Sequence, residues 1–338
     1  MRRYWWKILA VLLISYAFIQ GLSTPLSPAI VQADKIEENK DLLVLAVKGY
    51  NASYGEAMSV WLRNGANEIC GSVTQVEDKN NFKVRFDIGG PLSAASSDLI
   101  VSDPSGVWLM TRAVSHSGEF DPGSSYTSPC PRKEMSVPQQ GGFPTLPILY
   151  ETIRNLFFPV PMWFSMMFIM LVSVVQSILY LRKEDPRNDR RAVDAVNTGL
   201  LFGILGLVTG SIWARFTWGA WWTPDPQLNA AATTMLIYFA YIVLRNSIED
   251  DQKRARISAI YNIFAFAMLV VLIGVLPKMI DSLHPGKKGS PGFNTYDLDN
   301  ALRAIFYPAV LGWILITYWL YTLRVRSSDI EAELDAVD

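Results

Sequence analysis

Long apolar segments alternating with short basic clusters constrain this chain more than any other feature. The apolar segments cover 1–24, 162–181, 198–216, 229–245, 259–276 and 305–323. With its aromatic ends, each approaches the ~20 residues that carry a helix across a bilayer. Arg2, Arg3 and Lys7 lie at the start of the first. Arg182, Lys183, Arg187, Arg190 and Arg191 separate the second from the third. Arg245, Lys253, Arg254 and Arg256 separate the fourth from the fifth, and Arg324 and Arg326 follow the sixth. All four clusters fall on one side of a six-span topology, and that agreement itself argues for six spans. The positive-inside rule then puts both termini in the cytoplasm. Half of the residues are hydrophobic and 18% are charged, which is lean in charge for a soluble domain. A net charge of -1 argues against nucleic acid as a partner. No Walker or GxGxxG motif provides for ATP chemistry within the chain.

The expected fold is mainly α: a six-span transmembrane bundle with an inserted external β-sandwich-like domain. The first segment has two readings. Val31-Gln32-Ala33 offers a small-residue cleavage pattern, but the apolar run is long and ends well before it, which favours a retained anchor. Between 32 and 142 the composition changes to short β-like runs, among them LLVLAVKGY, MSVWLR, EICGSVTQV, FKVRFDI, DLIVSD and VWLMTRAV. Gly, Asn, Asp, Ser and Pro separate them, at a spacing that predicts about seven strands. Cys70 and Cys130 form no CxxC or zinc pattern. They pair in an oxidising compartment or remain two thiols; spacing alone leaves both open.

A Pro/Gly/Gln linker, 138–147, leads into an amphipathic segment over 146–158. From there a five-span core runs over 146–326, with 327–338 as a cytoplasmic tail. Gly199, Gly203, Gly206 and Gly210 in the third span make small-xxx-small faces suited to close helix packing.

Three unusual stretches then share the external side: NLFFPVPMWF before the second span, WGAWWTPDPQLN (218–229) between the third and fourth, and 277–299 between the fifth and sixth. Four of the eleven tryptophans fall between Trp213 and Trp222. Pro224 and Pro226 make this stretch too broken to span, and its indoles make it too aromatic for an ordinary loop. Belt tryptophans usually stand singly at helix ends; a cluster followed by Pro-Asp-Pro reads instead as a platform. His284, the only histidine in the membrane part, stands in the third stretch beside Pro285 and Gly286. The other histidine, His116, reads as a strand or turn residue. A flat apolar macrocycle bearing one metal and two carboxylates matches this inventory. Indoles offer π faces and an N–H, imidazole is an axial ligand for heme iron, and Arg154, Arg215, Lys278, Lys287 or Lys288 can receive propionates.

These residues resemble a known family. Trp218-Gly219-x-Trp221-Trp222-x-x-Asp225 between two spans is similar to the tryptophan-rich motif of heme-handling proteins of c-type cytochrome maturation, above all the heme exporter protein C family, over about 146–326. The resemblance implies that the external tryptophan loop holds heme b non-covalently and transiently, with histidines of the two flanking loops as axial ligands. Trp218, Gly219, Trp221, Trp222 and Asp225 carry over to heme contact, and His284 to the metal. The family's first histidine loop reads His-Val-Pro followed by an aromatic. Here it aligns with Pro159-Val160-Pro161-Met162-Trp163, so Trp163 carries over and the first ligand does not. Iron held by His284 alone, or with Met162 or His116 as second ligand, remain the alternatives.

The resulting expectation is an inner-membrane protein of cytochrome complex assembly, with its β domain and tryptophan loop in the periplasm. It binds heme and hands it on, without enzymatic chemistry. Implied partners are heme, a heme chaperone, ATP-binding transporter subunits and membrane lipid. The rival reading is a membrane-anchored binding or sensory protein, in which the β domain recognises a partner and the core has lost heme. An intramembrane enzyme fits less well, because the spans hold few ionisable side chains.

Overall fold

The computed structural model describes residues 4–39, 41–55, 58–65, 67–103, 106–116, 120–121, 142–145, 149–280, 282–284 and 298–335. The chain divides into two compact units, one of Met1–Thr24 with Glu151–Asp338, the other of Pro25–Tyr150.

The first unit is helical. It contains α1 (Trp5–Ser23), a 3-10 helix (Tyr150–Phe157), α2 (Pro159–Lys183), α3 (Pro186–Trp218), α4 (Pro226–Asn246), α5 (Asp251–Leu269), α6 (Leu276–Met279) and α7 (Asn300–Leu334). Among the described residues, six helical segments are long and apolar enough to cross a membrane, so this is a multi-pass membrane protein. The helix starts are written in the sequence. Asp185 and Asp225 cap α3 and α4, each followed by a proline in the first turn, and Asp250 and Asp299 cap α5 and α7. A carboxylate there accepts otherwise unpaired N–H groups, and proline at the first helical position loses no hydrogen bond.

Helix and span boundaries differ from the expectation drawn from apolarity. α3 begins twelve residues before 198, because its first three turns are polar but well capped. The stretch 327–334, expected as tail, continues α7 as helix. α5 passes into a π-helical stretch, Val270–Val275, just before Pro277, whose missing N–H interrupts the regular ladder.

Close packing joins α2 and α3. A Cβ on Gly199 would lie 2.6 Å from Met170 Cε, and one on Gly206 2.9 Å from Trp163 Nε1. The Met170 side chain is flexible, but the Trp163 indole is rigid, so at Gly206 the approach depends on glycine; such close contact in lipid substitutes for hydrophobic driving force. At the basic end of the bundle Arg245 forks onto Asp189, at 2.9 and 2.6 Å. This bond ties α3 to α4, so the α2–α3 and α4–α5 turns share one end. The α3–α4 connection therefore lies at the other.

The second unit is one continuous antiparallel sheet, where a two-sheet sandwich was expected. Its strands are β1 (Ala29–Asn39), β2 (Leu42–Tyr50), β3 (Ser59–Asn64), β4 (Asn67–Val76), β5 (Asn81–Asp87), β6 (Ser96–Asp103) and β7 (Gly106–Ser115), in the order β1-β2-β5-β4-β3-β6-β7. The sheet curls so far that its two edge strands meet. Lys35 of β1 donates to the Ser115 carbonyl of β7 at 2.6 Å, and Glu38 of β1 pairs with His116 just beyond β7 at 3.0 Å. One face therefore becomes an interior. Leu43, Leu45 and Val47 of β2 stand opposite Phe86, Val84 and Phe82 of β5, all buried, as the period of two requires. Cys70 is disulfide-bonded; Cys130 lies outside the described residues.

Candidate functional site

Three chain segments meet at the end of the bundle away from the Asp189–Arg245 pair. α3 ends on Gly219, whose φ of +78° is the left-handed conformation that glycine adopts without cost. Arg215 donates to the Gly219 carbonyl and closes the turn. Six residues later Asp225 caps α4, its Oδ1 accepting from the N–H of Gln227 at 2.9 Å and of Leu228 at 3.3 Å. The segment after α6 then returns to the same place. Ser282 Oγ and the Leu283 N–H donate to Asp225 Oδ2 at 2.8 and 2.7 Å, and His284 Nδ1 lies 3.0 Å from Oδ1.

The His284 ring packs against two indoles that also touch each other. Its centroid is 5.0 Å from that of Trp218 at 74° and 5.7 Å from that of Trp213 at 52°. The two indoles are themselves edge-to-face at 4.9 Å. Such tilted contacts place ring edges against π faces and hold the imidazole plane. Trp221 and Trp222 lie outside this nest, 60% and 42% exposed, and Trp222 Nε1 donates to Asn229 Oδ1 at 3.2 Å.

The electrostatics assign the proton. Burial opposes ionisation of Asp225, but the Leu283 N–H, the Ser282 hydroxyl and His284 outweigh it and hold the carboxyl below its ordinary range. Burial pushes His284 down despite the attraction of Asp225. The pair is therefore a carboxylate and a neutral imidazole at pH 7. An ionised carboxylate only accepts, so Nδ1 carries the hydrogen and Nε2 the lone pair. No described residue is hydrogen-bonded to Nε2.

A cleft of about 280 Å³ opens on another side of Trp213, lined by Leu22, Phe158, Ile212 and Phe216 among others. It falls below the ~300–1,000 Å³ typical of enclosed ligand sites.

The family model for heme exporter protein C matches residues 148–337. The chain belongs to the heme exporter protein C family. It is 24% identical over 178 residues to heme exporter protein C of Paracoccus denitrificans, covering 52% of this chain and 73% of the relative. The protein of the same name from Escherichia coli is 27% identical over 137 residues, 38% of this chain and 51% of the relative. Cytochrome c biogenesis protein CcsA of Prochlorococcus marinus is 37% identical over 87 residues, 26% of this chain and 27% of the relative. The chain thus spans about half of the Escherichia coli relative. The match begins at 148, so Pro25–Tyr150 lies almost wholly outside it.

Among the residues singled out from sequence, Trp218, Asp225 and His284 are brought into one cluster, with Gly219 closing the turn beside it. Trp221 and Trp222 form the exposed flank. Trp163 lies lower in the bundle, its indole against Gly206. Pro159 opens α2 and is buried. The two alternative ligands are committed elsewhere. Met162 is in the bundle core, its sulfur 3.9 Å from Thr209 Oγ1. His116 has a side chain only 1% exposed, with Nε2 2.7 Å from Ser97 Oγ and Nδ1 on Glu38. Of the cations, Arg154 is held by Glu151 and by the Gly21 and Thr24 carbonyls. Arg215 stays at the platform, and the side chains of Lys278, Lys287 and Lys288 lie outside the described residues. Sequence reading missed Ser282 as a partner of Asp225; its position two residues before His284 was the available signal.

Proposed function

We propose that this protein handles heme in c-type cytochrome maturation, holding it at the tryptophan platform and passing it on. The Asp225–His284–Trp218–Trp213 cluster carries this reading: a neutral imidazole fixed by Nδ1 keeps Nε2 free as a ligand. The family membership and the relatives' names in heme export and cytochrome c biogenesis support it. Heme b, when bound, would supply an iron that His284 Nε2 could hold as a ligand. The residues fit that role. The nest holds the ring upright, Trp221 and Trp222 offer π faces at the rim, and Arg215 is a cation at the same turn.

His284 is the one described imidazole at this end of the bundle. Holding the group from one side, without a covalent bond, suits transient binding and release. The chain's own part is to bind, orient and let go, with no bond-making step. The basic ends of the helices argue for a cytoplasmic side that holds both termini. The site then faces the periplasm across the inner membrane, with the β unit on the same side. Its partners are a heme chaperone that takes the cargo and transporter subunits that supply ATP chemistry.

The test is the visible spectrum of the full-length protein purified after heme-replete expression. A Soret band in the wild type that His284→Ala abolishes supports the reading. A folded wild-type protein without heme sinks it and leaves the membrane-anchored binding protein as the better account.

A further inference from the structure

We infer that Asp225 is a positioning residue, which grips the His284 imidazole by Nδ1 and sets how strongly Nε2 would donate to a bound metal. The metal in this inference rests on the heme reading above; the grip rests on hydrogen-bond geometry alone.

Other helix caps in the chain show what an ordinary cap does. Asp185 accepts from Arg187 N, Asp250 from Lys253 N and Asp299 from Leu302 N. Each of those bonds stays within three residues of the cap. Asp225 makes the same kind of bond to α4 and also gathers three donors from 57 to 59 residues further along the chain. Oδ1 serves the cap and the imidazole; Oδ2 serves the Ser282 hydroxyl and the Leu283 amide. Five donors on one carboxylate, 1% exposed, leave its plane no freedom to turn. The His284 N–H donates to Ser282 Oγ at 3.1 Å, so the loop closes on itself around the ring.

A helix cap needs a single oxygen and no distant loop, so capping does not account for this arrangement. Orientation of the imidazole does. Metal-bound histidines owe their tautomer, ring direction and basicity to the acceptor behind the other nitrogen. A carboxylate draws the Nδ1 proton harder than an amide does. Nε2 becomes the stronger donor and favours the ferric over the ferrous state.

The experiment compares full-length wild type, Asp225→Asn, Asp225→Ala and, as an ordinary-cap control, Asp250→Asn, all in lipid nanodiscs. Asparagine caps helices about as well as aspartate and keeps an oxygen for the cap and Nδ1, but its NH2 replaces the oxygen that accepts from Leu283 N–H, so the tautomer readout also reports whether the loop is retained in this variant. The first readout needs no heme: ¹⁵N NMR of the histidine side chains reports the tautomer. The Nδ1–H form is expected in wild type and Asp225→Asn, and its loss in Asp225→Ala. The second is titration with hemin, by Soret absorbance and redox potentiometry. Asp225→Asn is expected to bind hemin about 10- to 100-fold more weakly, and Asp250→Asn like wild type. A tenfold loss confined to the ferric state raises the midpoint potential by about 59 mV. An Nε2–H tautomer in wild type, or wild-type affinity and potential in Asp225→Asn, overturns the inference. An Nδ1–H tautomer in a wild type that binds no hemin overturns the heme reading and the tuning that rests on it, and upholds the grip on His284.

Discussion

Asp189→Asn, Arg245→Gln and the double variant test the interaction that sets which turns of the bundle share an end. The two side chains are each 13% exposed and joined by two parallel hydrogen bonds at 2.6 and 2.9 Å. At an effective dielectric constant of 20 and this separation, the gross attraction is about 6 kcal/mol. Desolvation of both ions cancels much of it, since a buried pair contributes far less net stability than its Coulomb energy. Removing one partner is a different matter, because it leaves the other charge buried without compensation. Each single variant is therefore expected to lose about 3 kcal/mol, the low end for buried pairs because both groups keep some contact with water. The double variant strands no charge and is expected to lose less than either single one. Unfolding free energies in detergent, followed by helical circular dichroism, supply the cycle. Additive losses, or single variants within about 0.5 kcal/mol of wild type, would refute the claim that this pair locks α3 to α4.

Other outcomes follow from the same contacts. His116→Ala removes the ring that joins Glu38 of β1 to Ser97 of β6; it is expected to destabilise the β unit by about 1–3 kcal/mol, read by hydrogen exchange at the β1 and β7 amides. Gly206→Leu drives a side chain into the rigid Trp163 indole, at about 1–3 kcal/mol for overpacking, read by thermal unfolding in detergent. The His284 loop is expected to loosen in acid. Both His284 and Asp225 resist protons in the folded state more than in the unfolded one, so their stabilisation is complete above the unfolded values. It falls first as pH drops below the ordinary histidine value of 6.5, then again below the ordinary aspartate value of 3.8. The protection factor of the Leu283 amide follows it, and a protection factor unchanged down to pH 4 would contradict the account.

Hydropathy made the six spans legible, because lipid demands apolar length and little else. It did not mark where helices end, since a helix continues past the bilayer wherever capping and side-chain pairs support it. Asp185-Pro186 was a readable start signal for α3. The extension of α7 depends on contacts such as Ser328 to Asp194 at 3.0 Å, which link residues 134 apart. Strand spacing revealed most strands and not their pairing. β1 escaped because Asp34, Lys35, Glu37 and Glu38 interrupt its apolar pattern, although two of these charged residues close the sheet. The site followed the same rule. Its tryptophans, aspartate and histidine were recognisable as types, while the contact between Asp225 and His284 is tertiary and no spacing encodes it.

The site exists because helix ends are held at both extremities of the bundle. α3 and α4 are locked by Asp189–Arg245 at one end, so the stretch between Trp218 and Asp225 at the other must span a fixed gap. Gly219 makes the sharp exit from α3 that lets it do so. A Cβ there would meet nothing within 4 Å, so Gly219→Ala carries only the conformational cost of a left-handed backbone, about 1–2 kcal/mol. Asparagine tolerates that conformation better, so Gly219→Asn is expected to lose less. The loss should appear as faster hydrogen exchange over 219–225 and at Leu283, with exchange at the Asp189–Arg245 end unchanged. Were alanine and asparagine to behave alike, and like wild type, the backbone at Gly219 would not be what aims the tryptophan platform.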